Sequence, residues 1–260
     1  MKFPKKSLGQ NFLIDKNIVR KIINSVDLAQ RDVLEIGPGR GALTEEIIKK
    51  NPKSLITIEK DYDLSEYLKN KFIKHKKFKI INNDILKINV EDILTKNTVV
   101  IGNLPYNISS QIFTKFIKFN NWPPKFSDLI LMFQKELGEK IIGKFSTPNY
   151  SRISILTNLR FLVLKKFLVS CNSFKPKPKI NSMVIHFKPK KMLFNIKNIS
   201  NLEKVTQILF SNKRKMINKN IKKILKKNQI YDVKNLNIES RPSEIKPEVY
   251  YKITEVIEKN

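Results

Sequence analysis

The stretch NLPYNISSQIF, Asn103 to Phe113, follows the apolar run TVVIG and sets an Asn, a Pro and a Tyr where a buried strand should end. None of these serves a sheet, because Pro lacks a backbone donor and Asn competes locally for backbone hydrogen bonds. Their chemistry suits a planar base. The Asn103 side-chain carbonyl and the Leu104 backbone carbonyl, the latter held rigid by Pro105, are two acceptors for an exocyclic amine, and Tyr106 offers a ring on which the base can stack. Such a grip aims the nitrogen lone pair at an electrophile. A turn with a buried tyrosine has the same letters, so the argument depends on what surrounds it.

EIGPGRGALTEEI, Glu35 to Ile47, puts Gly37, Gly39 and Gly41 at alternate positions between a strand and a helix. Glycines there allow a tight turn and close approach to a ligand, although the spacing is not that of the dinucleotide fingerprint. The following apolar runs end in Glu59 (SLITIE), Asp84 (FKIINND) and Asn103 (TVVIGN). Each residue alone reads as a cap or a surface group. In an open parallel sheet, however, ligands bind beyond the carboxyl ends of the strands, and this ordered set would line one crevice. Glu59 suits the two hydroxyls of a ribose, and Asp84 can accept from an adenine amine.

The elements that position these residues follow from periodicity. DVLEIG, SLITIE, FKIINND, TVVIGN and LILMFQ recur about every 20 to 30 residues with amphipathic stretches between them, the βα pattern of a helix-covered parallel sheet. FLVLKKFLVS and SMVIHFK flank FKPKPKIN, whose alternate prolines force an extended connection, so an antiparallel end pair is expected. Beyond KPKKM the pattern turns helical, with Ile217, Ile221, Ile224 and Leu225 at helix spacing in a basic run. The fold class is α/β, a mostly parallel sheet with an antiparallel end pair plus a small C-terminal all-α domain. Residues 1–188 form the expected catalytic domain and 196–260 the helical one.

Composition narrows the function. The 260 residues carry 51 Lys and Arg against 23 Asp and Glu, a net charge of +28, which calls for a polyanion such as nucleic acid. The scarcity of Ala, present only as Ala29 and Ala42, beside many Lys, Asn and Ile is the mark of AT-rich codon usage, which explains part of the charge. Drift alone does not favour Lys so heavily over Asp and Glu. Cys171 is the single cysteine, and His75 and His186 lack ligand spacing with it, so neither a disulfide nor a metal is expected. There is no apolar leader and no membrane-length apolar run, so a cytoplasmic protein is expected. No Ser-His or Cys-His pairing points to a nucleophile.

SLGQNFL (Ser7 to Leu13), EIGPGRG, NLPYNIS, FKPKPKINS (Phe174 to Ser182) and SNKRKM (Ser211 to Met216), in this order, resemble the KsgA family of small-subunit (16S) rRNA adenine dimethyltransferases over nearly the whole chain. Two departures are visible: Ser151 stands where the family usually has Gly, and Ile180 where it has Val.

The resemblance implies a class I methyltransferase with a Rossmann-like sheet, S-adenosyl-L-methionine as methyl donor, and small-subunit rRNA or a pre-small-subunit particle as partner of a monomer. Asn11, Leu13, Gly37, Gly39, Glu59, Asp84 and Asn103 would contact the donor. Asn103, Leu104, Pro105 and Tyr106 would frame the adenine, with Phe174 stacking from the other side. Lys213, Arg214, Lys215, Lys219 and Lys222 would present charge to RNA phosphates along one helix face between Asn212 and Asn228. The rivals are a resistance-type large-subunit rRNA methyltransferase and a non-catalytic RNA-binding assembly factor. LGQNFL and GPGRGALT favour the first reading over the large-subunit enzyme, and the intact acids and NLPY argue against loss of catalysis.

Overall fold

The computed structural model describes residues 10–259, so the Ser7–Gly9 part of the first motif lies outside the described residues. The strands are β1 (Phe12–Leu13), β2 (Asp32–Ile36), β3 (Ser54–Glu59), β4 (Phe78–Asn82), β5 (Thr98–Asn103), β6 (Phe126–Gln134), β7 (Phe161–Val169), β8 (Phe174–Lys175) and β9 (Ser182–Pro189). The helices are α1 (Lys16–Ile23), α2 (Ala42–Lys49), α3 (Tyr62–Lys71), α4 (Val90–Ile93), α5 (Ser109–Ile117), α6 (Lys135–Ile141), α7 (Arg152–Arg160), α8 (Ile199–Leu209), α9 (Asn218–Ile221), α10 (Lys227–Asp232) and α11 (Pro247–Glu258).

Seven strands form one sheet in the order β4-β3-β2-β5-β6-β9-β7. β2 pairs in parallel with β3 on one side and β5 on the other, with Ile36 opposite Gly102, while β4 and β6 extend the parallel part. β9 reverses direction and pairs antiparallel with β6, from Leu129 opposite Phe187 to Gln134 opposite Ser182. β5 is buried from Thr98 to Gly102 without alternation, as a central parallel strand covered on both faces must be. The order reverses between β2 and β5, and that switch point is where a crevice opens at the carboxyl ends. A separate two-stranded sheet joins β1 to β8, a pairing that two residues of strand on each side could not announce in sequence.

Asp15 caps α1 by accepting from the backbone of Asn17 and Ile18, and Asp61 caps α3 through Asp63. α1 then buries Val19, Ile22 and Ile23 in a core with Leu43, Ile47, Val99, Ile101, Ile130 and Val184. At the amino end of β6, Asp128 accepts from Arg31 at 3.1 Å and from Ser127 at 2.7 Å, and its Oδ1 lies 2.8 Å from His186 Nε2. These partners hold the Asp128 carboxyl well below its usual range against the opposing effect of burial.

The chain divides into two compact units. The first runs through Phe116 and adds Pro123–Gly138 and Leu162–Pro189, which is the whole seven-stranded sheet apart from Phe161. The second comprises Ile117–Trp122, Glu139–Phe161 and the residues from Lys190 onward. Residues 139–161, grouped with the sheet in the sequence reading, pack instead with the C-terminal helices. Tyrosine hydroxyls show why: Tyr150 donates to the Ile245 carbonyl at 2.9 Å and Tyr251 to that of Ile155 at 2.9 Å. Buried Arg160 stacks over the Trp122 ring at 4.4 Å and donates to the Phe119 carbonyl at 2.6 Å.

One expectation is corrected in the second unit. The basic run Asn212–Asn228 is not one helix: only Asn218–Ile221 and the start of α10 are helical, with turns at Lys213–Arg214 and Lys222–Ile224. Ile217, Ile221 and Leu225 still point inward, buried as their spacing requires. Four residues are too few for propensity alone to sustain a helix, so packing sets the conformation. Ser151 has φ of −157°, an ordinary extended value, so no glycine is needed there. Its backbone N–H donates to Ser154 Oγ at 2.9 Å and its hydroxyl to the Lys140 carbonyl at 3.0 Å.

Candidate active site

The carboxyl ends of β2, β3, β4 and β5 converge on a cleft of the first unit. Its walls include Asn11, Leu13, Gly37, Gly39, Glu59, Asp84, Asn103, Leu104, Pro105 and Tyr106, so one hollow gathers every residue expected to touch donor or base except Phe174. Phe174 is buried at 3% exposure and belongs to the core cluster that holds Leu13, Val19 and Val169. Phe174 stands opposite Leu13, a lining residue, across the β1–β8 pair.

The glycine turn is shaped by its neighbours. Gly39 has φ of +58°, and a Cβ there would meet the Phe12 ring at 3.0 Å, so both the backbone and the space demand glycine. Its N–H donates to Glu59 Oε2 at 3.1 Å, while Asp61 N–H donates to Glu59 Oε1 at 2.9 Å. Burial raises the Glu59 carboxyl and these backbone donors oppose that shift. The acid thus clamps the turn after β2 onto the end of β3. Lys60 lies 2.9 Å from Asp84, whose other oxygen accepts from Leu86 N–H at 2.9 Å; Lys60 leads the causes that lower the Asp84 carboxyl.

At the base end, Asn103 Nδ2 donates to the Asn11 carbonyl at 3.2 Å. With the amide nitrogen so engaged, Oδ1 is the atom Asn103 can offer as an acceptor. The Tyr106 and Ser182 hydroxyl oxygens are 2.6 Å apart, and burial raises the Tyr106 phenol, which therefore stays protonated. Leu104 buries its side chain at 2% exposure, which fixes the backbone that carries its carbonyl. Ser109 Oγ donates to the Tyr106 carbonyl at 3.1 Å, closing the turn into α5.

Sequence reasoning passed over Glu35, Gln10 and Lys60, all of which line the cleft. Glu35 is fully buried; Oε2 accepts from Thr44 at 2.7 Å, and Oε1 has no hydrogen-bond partner among the described residues. Burial pushes its carboxyl up to about 8. An acid inside the apolar run DVLEI was the available signal. The RNA candidates Lys213, Arg214, Lys215, Lys219 and Lys222 are all exposed on the second unit. Among the described residues there is no group of acids, histidines and cysteines suited to a metal, and no helix long and apolar enough to cross a membrane.

This geometry has clear relatives. The ribosomal RNA small subunit methyltransferase A of Pelagibacter ubique is 43% identical over 258 residues, covering 98% of this chain and 97% of that protein. That of Malacoplasma penetrans is 40% identical over 257 residues, covering 96% and 91%. Among solved structures, a dimethyladenosine transferase from Plasmodium falciparum superposes with a TM-score of 0.76 at 27% identity, covering 93% of this chain and 95% of that one. The 23S rRNA methyltransferase ErmE, at 22% identity, 95% and 100% coverage and a TM-score of 0.68, shares the fold. The profile of the ribosomal RNA adenine dimethylase family spans residues 2–259. A cleft lined by a glycine turn, a buried acid and the Asn103–Tyr106 segment accompanies these likenesses, and the chain belongs to the ribosomal RNA adenine dimethylase family, as a methyltransferase that draws its methyl groups from S-adenosylmethionine.

Proposed function

We propose that the protein dimethylates the 6-amino groups of adjacent adenosines near the 3′ end of small-subunit rRNA, acting as a cytoplasmic monomer on RNA or on a small-subunit particle under assembly. The small-subunit methyltransferases of Pelagibacter ubique and Malacoplasma penetrans support the choice of subunit. The observation that carries the chemistry is the Asn103–Asn11 hydrogen bond, which engages the amide nitrogen and leaves Oδ1 as an acceptor for the adenine amine.

The cleft fits the donor on its own features. A carboxylate with 7% exposure at the end of β3 suits ribose hydroxyls, and Gly39, whose positive φ makes the tight turn, lines the same cleft. We assign Asn11, Leu13, Gly37, Gly39, Glu59 and Asp84 to it. S-adenosylmethionine supplies a methyl group on a positively charged sulfur, so the protein need supply no nucleophile. Asn103 Oδ1 and the Leu104 carbonyl accept the two amine hydrogens, and the Tyr106 ring holds the base plane. These contacts favour the pyramidal amine whose lone pair is free to attack. Placing two reactants in this way is worth roughly 7–11 kcal/mol. The monomethylated amine keeps one hydrogen, so the second transfer proceeds with one acceptor idle.

We assign RNA phosphate binding to the second unit, through Lys213, Arg214, Lys215, Lys219 and Lys222, all exposed. The test is methylation of purified small-subunit and large-subunit rRNA and particles, with modified adenosines mapped by mass spectrometry. Dimethyladenosine at adjacent positions of small-subunit rRNA is the expected result. Methylation confined to large-subunit rRNA overturns the assignment, and donor binding without any transfer points to a non-catalytic factor.

A further inference from the structure

The segment Lys175–Ser182 is tied at both ends to the walls of the cleft. At one end Lys175 pairs with Phe12 and Phe174 with Leu13, and both Phe12 and Leu13 line the cleft. At the other, Ser182 meets the Tyr106 hydroxyl at 2.6 Å, and the Asn181 carbonyl accepts from Lys135 N–H at 3.0 Å. Between these anchors Lys175, Lys177 and Lys179 are all exposed and are separated by Pro176 and Pro178, whose rings restrict the backbone. None of the three lysines has an acidic partner among the described residues, whereas Lys60 and Lys71, also in this unit, are paired with Asp84 and Glu45.

We propose that Lys175, Lys177 and Lys179 form a phosphate-gripping strap that holds the RNA backbone on either side of the target adenosine. A base that undergoes chemistry must leave its stack, and its own phosphates then pass over the rim of the pocket that receives it. Contacts to those phosphates carry no sequence information but fix the register of the strand, so the strap decides where along the RNA the adenine drops toward Asn103. Because the strap ends at Ser182, which holds Tyr106, phosphate register and base plane are set by one short piece of chain. The lysine content of the chain makes exposed lysines common; anchoring to the two cleft walls and the intervening prolines distinguish these three.

This inference rests on the RNA-methylating reading above, and its test separates the two. Lys175, Lys177 and Lys179 are replaced together by Gln; in a control of equal charge change, Lys74, Lys76 and Lys77, exposed just before β4 at the opposite end of the sheet, are replaced instead. Binding of small-subunit rRNA is measured against salt, and single-turnover methylation against RNA concentration. The strap variant is expected to need about tenfold more RNA for half-saturation and to lose about 2 from its log–log salt slope, at roughly 0.7 per single-strand phosphate contact. Its affinity for S-adenosylmethionine should match that of the parent, which also certifies the fold. A strap variant indistinguishable from the control in both half-saturation and slope overturns the proposal. A parent protein that binds small-subunit rRNA but never methylates it overturns the functional reading instead, and the salt slopes still decide whether the strap exists.

Discussion

Asn103, the last residue of β5, donates its side-chain amide to the carbonyl of Asn11 at 3.2 Å, across 92 positions of sequence. The side chain proposed to grip the base is thereby held by a segment just ahead of β1 as well as by its own strand. Replacing Asn103 by Ala should reduce single-turnover methylation at saturating donor and RNA by about a hundredfold or more while RNA affinity stays within about twofold of the parent, since the amine is oriented by two acceptors and the RNA by many phosphates. A rate close to that of the parent would remove the two-acceptor grip from the mechanism.

The Tyr106–Ser182 contact makes a separate prediction. Tyr106→Phe keeps the ring face but gives up a hydrogen bond worth about 0.5–1.5 kcal/mol, and Ser182→Ala gives up the same bond from the other side. Each should slow methyl transfer about two- to tenfold, and the double variant should be no slower than the worse single one. Strictly additive losses would mean that the two hydroxyls act independently. Tyr106→Ala, which removes the ring, should cost more, since a base–aromatic stack is worth roughly 1–3 kcal/mol.

Glu59 accepts from Gly39 and Asp61 and also faces the cleft. Glu59→Ala should weaken donor binding by about tenfold or more in calorimetric titration, because charge-assisted hydrogen bonds of roughly 1.5–3 kcal/mol are lost. Glu59→Gln keeps an acceptor for the backbone and should fall between Ala and the parent. Unchanged affinity in a folded Ala variant would take Glu59 out of the donor site.

Glu35 gives the protein a pH signature. Burial raises its carboxyl from 4.5 to about 8, moderated by Thr44 and reinforced by nearby Glu59. Between those values the folded state holds a proton that the unfolded chain has released. Stability from this group is thus complete below the unfolded value and declines as pH rises toward the folded one, by up to about 1.4 kcal/mol per pH unit. Urea unfolding from about pH 5 to about pH 8 should show the decline in the parent and a shallower one in Glu35→Gln, where only Glu59, also raised by burial, contributes with the same sign. Equal slopes would show that Glu35 is ionised throughout.

The strands and the cleft were readable in the sequence to different depths. The βα rhythm located β2 through β6 because parallel strands are continuous apolar runs, and Glu59, Asp84 and Asn103 stand at their ends by the logic of the open sheet. Phe174 lies outside the cleft lining, and its burial could not be read in advance, because a motif conveys which residues occur together while burial depends on a strand pair as short as β1–β8. Glu35 was missed because its letter sits inside a strand, and only packing reveals that its Oε1 has no hydrogen-bond partner among the described residues. The basic run misled for the converse reason: its apolar spacing was correct for burial, but helical continuity is decided by tertiary contacts.

The β1–β8 pair also has a consequence for synthesis. A chain emerging in order completes the glycine turn, the acids and NLPY long before Phe174 and Ser182 exist, yet the cleft wall at Leu13 is backed by Phe174 and Tyr106 is held by Ser182. Until about residue 182 has been made, the nascent protein carries the cleft-lining residues on an unfinished wall, and the complete cleft arrives only with the antiparallel strand β9.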